Sequence, residues 1–176
     1  PQGGIISPVL ANLTLDGMER VLKDALPRRA KVNFIRYADD FIVTADSKEL
    51  LEAKVKPLIT EFLSERGLAL SETKTVVTHV SEGFDFLGFR VQKFKDFLHI
   101  GPSPKGTKVL YAKVSSTLRG MRAAKQGDVI HALNPILSGW AGYHRTMTAT
   151  PTFTVMDHRD LCALWRCAKR RHPNKG

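Results

Sequence analysis

VNFIRYADDFIVTA, residues 32–45, decides the reading of this chain. Two short runs of β-branched and aromatic residues meet at Ala38, Asp39 and Asp40, where turn formers belong, so the stretch predicts a β-hairpin with two carboxylates at its tip. Upstream, PQGGIISPVLANLTLDGMERVLK (residues 1–23) opens with a glycine turn. Ser7 then reads as an N-cap with Pro8 at the first helical position, and Leu10, Leu13, Gly17 and Val21 follow at helical spacing. Downstream, Asp46 or Ser47 caps a helix carrying Leu51, Val55, Leu58 and Phe62 on one face, bent at Pro57 and ending near Gly67. TVVTHV (75–80), FDFLGFRV (84–91) and FLHI (97–100) are further strand candidates. Beyond Gly101 and Pro102 the character turns helical. Ser103-Pro104 and Asn134-Pro135 each read as a cap with a first-turn proline, and a third helix is expected from about Val155 to Lys169. The expected class is α+β, a strand-containing part over 1–101 followed by an all-helical part over 102–176.

Charge changes at nearly the same place. Residues 1–89 hold 11 Lys+Arg against 13 Asp+Glu, net −2, while residues 90–176 hold 16 against 4, net +12. Such a one-sided excess points to a polyanion, because each cation placed near a phosphate releases condensed counterions. A solubilising charged face is the plainer alternative. No apolar run reaches the roughly 20 residues needed to cross a bilayer, and no basic-then-apolar leader opens the chain, so a cytosolic (cytoplasmic) protein with no membrane contact is expected. Cys162 and Cys167 lie five apart in a segment read as helix, about 7.5 Å along the axis, beyond comfortable disulfide reach. Reduced thiols are the reading.

The carboxylates carry the chemistry. Asp39 and Asp40 repel each other unless a cation lies beside them, and Mg²⁺ is the natural one. Nucleotidyl transfer uses such ions to lower the charge of the attacking and leaving oxygens. Asp-Asp also occurs in plain exposed turns, but the apolar Phe34-Ile35 and Phe41-Ile42-Val43 flanks place this pair at the end of strands expected to be buried, where sites are commonly built.

With these residues in view, the chain resembles the group II intron reverse transcriptases, or maturases. Tyr37-Ala38-Asp39-Asp40 is similar to their YADD hairpin, and four further blocks follow the family's order: PQGGIISPVLANL (1–13), GLALSETKT (67–75), GFDFLGF (83–89), and the tract from LNPILSGWAGYHR (133–145) to RCAKRRHPNKG (166–176). The resemblance implies a partial reverse-transcriptase palm followed by a helical thumb, called domain X. It implies Asp39 as a metal ligand with Asp40 as its acidic neighbour, and Tyr37 and Ala38 near the primer terminus. Gln2 and Gly3 resemble the PQG motif beside the nascent base pair; by chemistry alone they read as a glycine-rich turn. Lys74 resembles the lysine that protonates leaving pyrophosphate, with an exposed salt-bridging lysine as the alternative. Leu87 and Gly88 match the primer-gripping block, the glycine allowing close backbone approach or marking a β-bulge. Arg145, Arg159, Arg166, Lys169, Arg170 and Arg171 would form the thumb surface for RNA.

The partners so implied are an RNA template with a DNA or RNA primer, group II intron RNA and dNTPs. Trp140 and Tyr143 read as core rather than stacking platforms. Gly142 stands where the family has Asn, and Cys167 where it has Trp, which touches thumb packing. The family's fingers and first catalytic aspartate precede the PQG block, so the expectation is a fragment that needs a separate or preceding N-terminal portion to polymerise. The rival expectation is a maturase-type module that binds intron RNA without polymerising; a weaker one is an inactive remnant.

Overall fold

The computed structural model describes residues 6–171. The chain is α+β, with two small antiparallel sheets among helices, and it divides into two compact units, residues 1–79 and 80–176.

In the first unit, α1 (Ser7–Leu15) and α2 (Met18–Ala25) are separated by Gly17, whose φ of +84° is open to glycine at little cost. The α1 cap lies at Ile6, without a side-chain bond, so Ser7 is the first helical residue and not the expected N-cap. The expected stripe is also displaced. Leu10 and Leu13 are exposed, and the core is built instead on Leu15, Met18, Leu22 and Leu26, because the break at Gly17 rotates α2 relative to the α1 pattern. The hairpin forms as read. β1 (Asn33–Tyr37) pairs antiparallel with β2 (Asp40–Thr44), closing on Tyr37 opposite Asp40. Its strands are only half-buried: Phe34, Phe41 and Val43 pack inward, but Ile35 and Tyr37 are 56% and 65% exposed, so the expectation of buried strands fails on one face.

Ser47, not Asp46, caps the next helical run, its Oγ accepting from the Leu50 N–H at 3.2 Å. The run comprises α3 (Lys48–Leu50), a π turn (Leu51–Val55) and α4 (Lys56–Ser64). The wide turn precedes Pro57, which cannot donate into a regular ladder. Val55, Ile59, Phe62 and Leu63 are buried against α2. Near Gly67 the chain closes with Leu68 N–H bonding the Leu63 carbonyl at 2.9 Å and Gly67 N–H the Ser64 carbonyl at 3.0 Å, a Schellman arrangement. The expected strand at 75–80 does not form; Val76 is exposed, and at the segment's end the Val80 carbonyl accepts one backbone bond, from the Lys93 N–H at 2.9 Å.

In the second unit, FDFLGFRV is not one strand but the centre of a hairpin. β3 (Phe84–Phe86), β4 (Phe89–Phe94) and β5 (Phe97–Pro102) form an antiparallel sheet in that order. Three helices follow: α5 (Pro104–Gly120), α6 (Gln126–His144) and α7 (Thr150–Arg171). Ser103 caps α5 as expected, its Oγ accepting from Gly106 N–H at 3.0 Å. Asn134-Pro135 does not start a helix, because α6 runs straight through it. Val129, Leu133, Ile136 and Trp140 keep one apolar face across the proline. Burying them outweighs the roughly 3 kcal/mol that a mid-helix proline costs. Helix α7 begins five residues before the expected Val155. The core is Leu110, Val114, Leu118, Val129, Leu133 and Met156. The sheet packs with these helices: Thr148 N–H bonds the Ile100 carbonyl at 3.0 Å, and Ser103 N–H the Gly88 carbonyl at 2.9 Å. Packing therefore divides the chain after His79, whereas charge and secondary-structure character change near residue 101. Among the described residues no helix is long and apolar enough to cross a membrane.

Candidate functional site

The hairpin tip is a two-residue turn, Ala38-Asp39, with Ala38 at φ +54°. A left-handed alanine costs on the order of 1 kcal/mol or more, so something must hold it. Arg36 does. On the inward register of β1, its Nη1 donates to the Ala38 carbonyl at 3.0 Å and to Asn12 Oδ1 on α1 at 2.9 Å. Asp39 and Asp40 are thereby presented outward from a turn tied to a helix. Both are exposed, and neither forms an ion pair among the described residues. Tyr37 stands exposed beside them, and Ala38 is half-buried. Lys74 lies exposed in a turn, its N–H bonded to the Ser71 carbonyl at 3.1 Å, and no side-chain bond joins it to the hairpin among the described residues. Gln2 and Gly3 lie outside the described residues.

Two neighbouring carboxylates fit a hard divalent cation in kind, since Mg²⁺ takes oxygen ligands. They do not suffice in number. Among the described residues no group of three or more His, Cys, Asp or Glu converges as a metal site.

In the second unit, Leu87 and Gly88 are the two central residues of the β3–β4 turn, at φ +48° and +81°. The ladder closes on Phe86 opposite Phe89, so Gly88 is a turn residue and marks no bulge. Tyr143, expected in the core, is exposed. Its hydroxyl donates to the Leu87 carbonyl at 2.7 Å, and its ring lies 5.1 Å from Phe89. Trp140 is core as expected, against His144 and Phe153. The turn forms one end of an open groove of about 740 Å³ whose walls include Lys105, Lys113, Gly139 and Tyr143. His144 also lines it, 3% exposed, and burial lowers its pKa below the ordinary histidine value.

The basic residues of α7 separate by face. Arg159, Arg166 and Arg170 recur at helical spacing on one side. Tyr111 of α5 organises two of them: Arg166 Nη2 donates to its hydroxyl at 2.9 Å, and the Arg159 guanidinium lies 6.0 Å from its ring. Lys169 and Arg145 are exposed. Arg171 differs, being half-buried with its guanidinium donating to the Met121 carbonyl at the end of α5, which makes it an anchor. The inward α7 stripe includes Asp160, 7% exposed, whose pKa burial raises, with a smaller push from Asp157. Arg36, Tyr111 and Tyr143 were missed as organisers in the sequence. Only Arg36 carried a signal, a cation on the register that Phe34 marks as inward.

Residues 1–91 match the family model described as reverse transcriptase (RNA-dependent DNA polymerase), and residues 107–176 match that of the group II intron, maturase-specific domain. Protein YkfC of Escherichia coli (strain K12) is 29% identical over 120 residues, an alignment covering 52% of this chain and 32% of that protein. The chain thus spans about a third of the length of this curated relative.

Proposed function

Because the chain belongs to the group II intron reverse transcriptase and maturase family, we propose that it carries part of the palm, residues 1–101, and the RNA-binding thumb, residues 102–176, of a cytoplasmic RNA-directed DNA polymerase. The observation that carries this reading is the pair Asp39 and Asp40, exposed side by side on a turn that Arg36 pins. Mg²⁺ bound there would lower the charge on the oxygens exchanged in nucleotidyl transfer. Asp39 serves as a ligand and Asp40 as its acidic neighbour, and the remaining oxygen ligands come from outside these two side chains and from the nucleotide phosphates. Arg36 keeps the carboxylates in place before substrate arrives, so that little reorganisation is left to the chemical step. Tyr37 and Ala38 face the primer terminus, Lys74 supplies a proton to the leaving pyrophosphate, and the role proposed for Gln2 and Gly3 is recognition of the incoming pair.

Leu87 and Gly88 hold the primer strand beside the groove. RNA, as template or as group II intron RNA, lies along Arg145, Arg159, Arg166, Lys169 and Arg170, which are five of the 16 cations behind the +12 excess of the C-terminal half. Arg171 supports that surface from beneath. The test is primer extension on an RNA template by the complete enzyme with Asp39→Ala. Loss of DNA synthesis with RNA binding retained is expected, and near-normal synthesis with Mg²⁺ overturns the assignment.

A further inference from the structure

Helix α7 has three faces. One is buried and includes Met156, Ala163 and Cys167; a second carries Arg159, Arg166 and Arg170. The third belongs to neither. Leu161, Leu164 and Trp165 fall together at i, i+3 and i+4, and they are 63%, 40% and 67% exposed. Trp165 makes no ring contact among the described residues, unlike Trp140, which packs on His144 and Phe153. A large exposed indole on a helix otherwise well packed implies an occupant.

Area and charge choose between occupants. Taking ~250 Å² for each of the three side chains as an upper bound, the fractional exposures leave about 430 Å², half of the ~800 Å² per partner that a stable protein interface buries. One or two nucleobases need far less. The neighbours favour an anion as well. Lys169 follows Trp165 by one helical turn, Arg166 is adjacent, and His158 stands two turns before; of the two acids of α7, Asp157 is exposed and Asp160 is buried.

We propose that Trp165 is a stacking platform for an unpaired base of bound RNA, with Leu161 extending the platform and Lys169 taking the adjoining phosphate. This rests on the RNA-binding reading of the helical half and deepens it. The arginine stripe holds phosphates regardless of pairing, whereas an indole face takes a base only where the RNA offers one out of its stack. Looped or single-stranded RNA is therefore preferred over perfect duplex.

The test compares the full chain with its Trp165→Ala and Trp165→Phe variants. The probes are an RNA hairpin with an unpaired apical loop and a fully paired duplex of equal length, each titrated at several salt concentrations. Trp165→Ala is expected to lose roughly 10-fold or more in affinity for the looped RNA. It should keep the wild-type salt slope, change little on duplex, and be largely rescued by Phe. Equal losses on both RNAs, no loss on the looped one, or a change in sedimentation revealing a self-association surface would each overturn the platform. A wild-type chain that binds looped RNA with a steep salt slope while Trp165→Ala binds as well sinks the platform alone; absence of any salt-dependent binding by wild type sinks the RNA-binding reading with it.

Discussion

The two units solve opposite problems. Residues 1–79 balance 11 cations against 11 acids, and their chemistry is gathered on one left-handed turn held by one arginine. Residues 80–176 carry 16 cations against 6 acids, and spread them along helices where several side chains share a face. A concentrated device should fail all at once under a single substitution, whereas a distributed surface should weaken in steps. The steepest contrast is Asp39→Ala in the complete enzyme, expected to cut DNA synthesis by on the order of 10²–10³-fold or more while leaving RNA affinity unchanged or slightly tighter. Single-turnover extension alongside equilibrium binding reads both. By the same logic, the isolated chain should extend no primer until a polypeptide supplying further carboxylate ligands is added, because two carboxylates hold Mg²⁺ loosely.

The distributed surface is sharpened by replacing Arg159, Arg166 and Arg170 together with alanine. Affinity for RNA should fall by about 10-fold or more, and the log–log salt slope by roughly 0.7–0.9 per lost phosphate contact. Extension at saturating template should be untouched. Arg171→Ala should instead lower the melting temperature and leave the slope alone, since its half-buried guanidinium donates to the Met121 carbonyl. A smaller effect is expected from Arg36→Met. It frees the Ala38 carbonyl and should cost about 1–2 kcal/mol in the stability of the first unit, with a several-fold loss of synthesis and no change in RNA binding.

The mildest effects concern pH. Burial lowers the His144 pKa, so its neutral ring stabilises the second unit at pH above the ordinary histidine value, and that stability is lost as pH falls through the folded value. His144→Phe should flatten this acid-side decline in thermal melts. Asp160 runs the other way. Its carboxyl is raised by burial, so the stability its neutral form brings is lost as pH rises through the folded value. Asp160→Asn should therefore raise the melting temperature at neutral pH while leaving the acid limb in place.

What was legible in the sequence was local. The hairpin over residues 33–44 follows from alternation and turn chemistry within a dozen positions, and the Ser103 cap from a bond reaching three residues ahead. The organisers of the site are not local. Arg36 reaches Asn12 across 24 positions, Arg166 reaches Tyr111 across 55, and Tyr143 reaches Leu87 across 56. No periodicity encodes such partners. Tertiary burial also overrode two local signals. Pro135, a helix starter by type, was carried inside α6 by the apolar face it interrupts, and the strand-like 75–80 meets the sheet only at its end, through the Val80 carbonyl. Asp39 and Asp40 were readable as a pair, but the exposure of Ile35 and Tyr37 beside them was not, because it depends on what else the sheet meets.

The β3–β4 turn has both of its carbonyls taken: Leu87 by the Tyr143 hydroxyl on α6, Gly88 by the N–H of Ser103, which caps α5. It is thus clamped like a hinge pin between two shafts, and neither helix turns without dragging it. Helix α6 has 19 residues, some 28 Å of lever arm at ~1.5 Å per residue, so a swing of about 3° about its Tyr143 end moves the far end by roughly 1.5 Å. Tyr143→Phe, which removes one side of the clamp, would free the Leu87 carbonyl and leave the turn held to the helices by the Ser103 bond to Gly88.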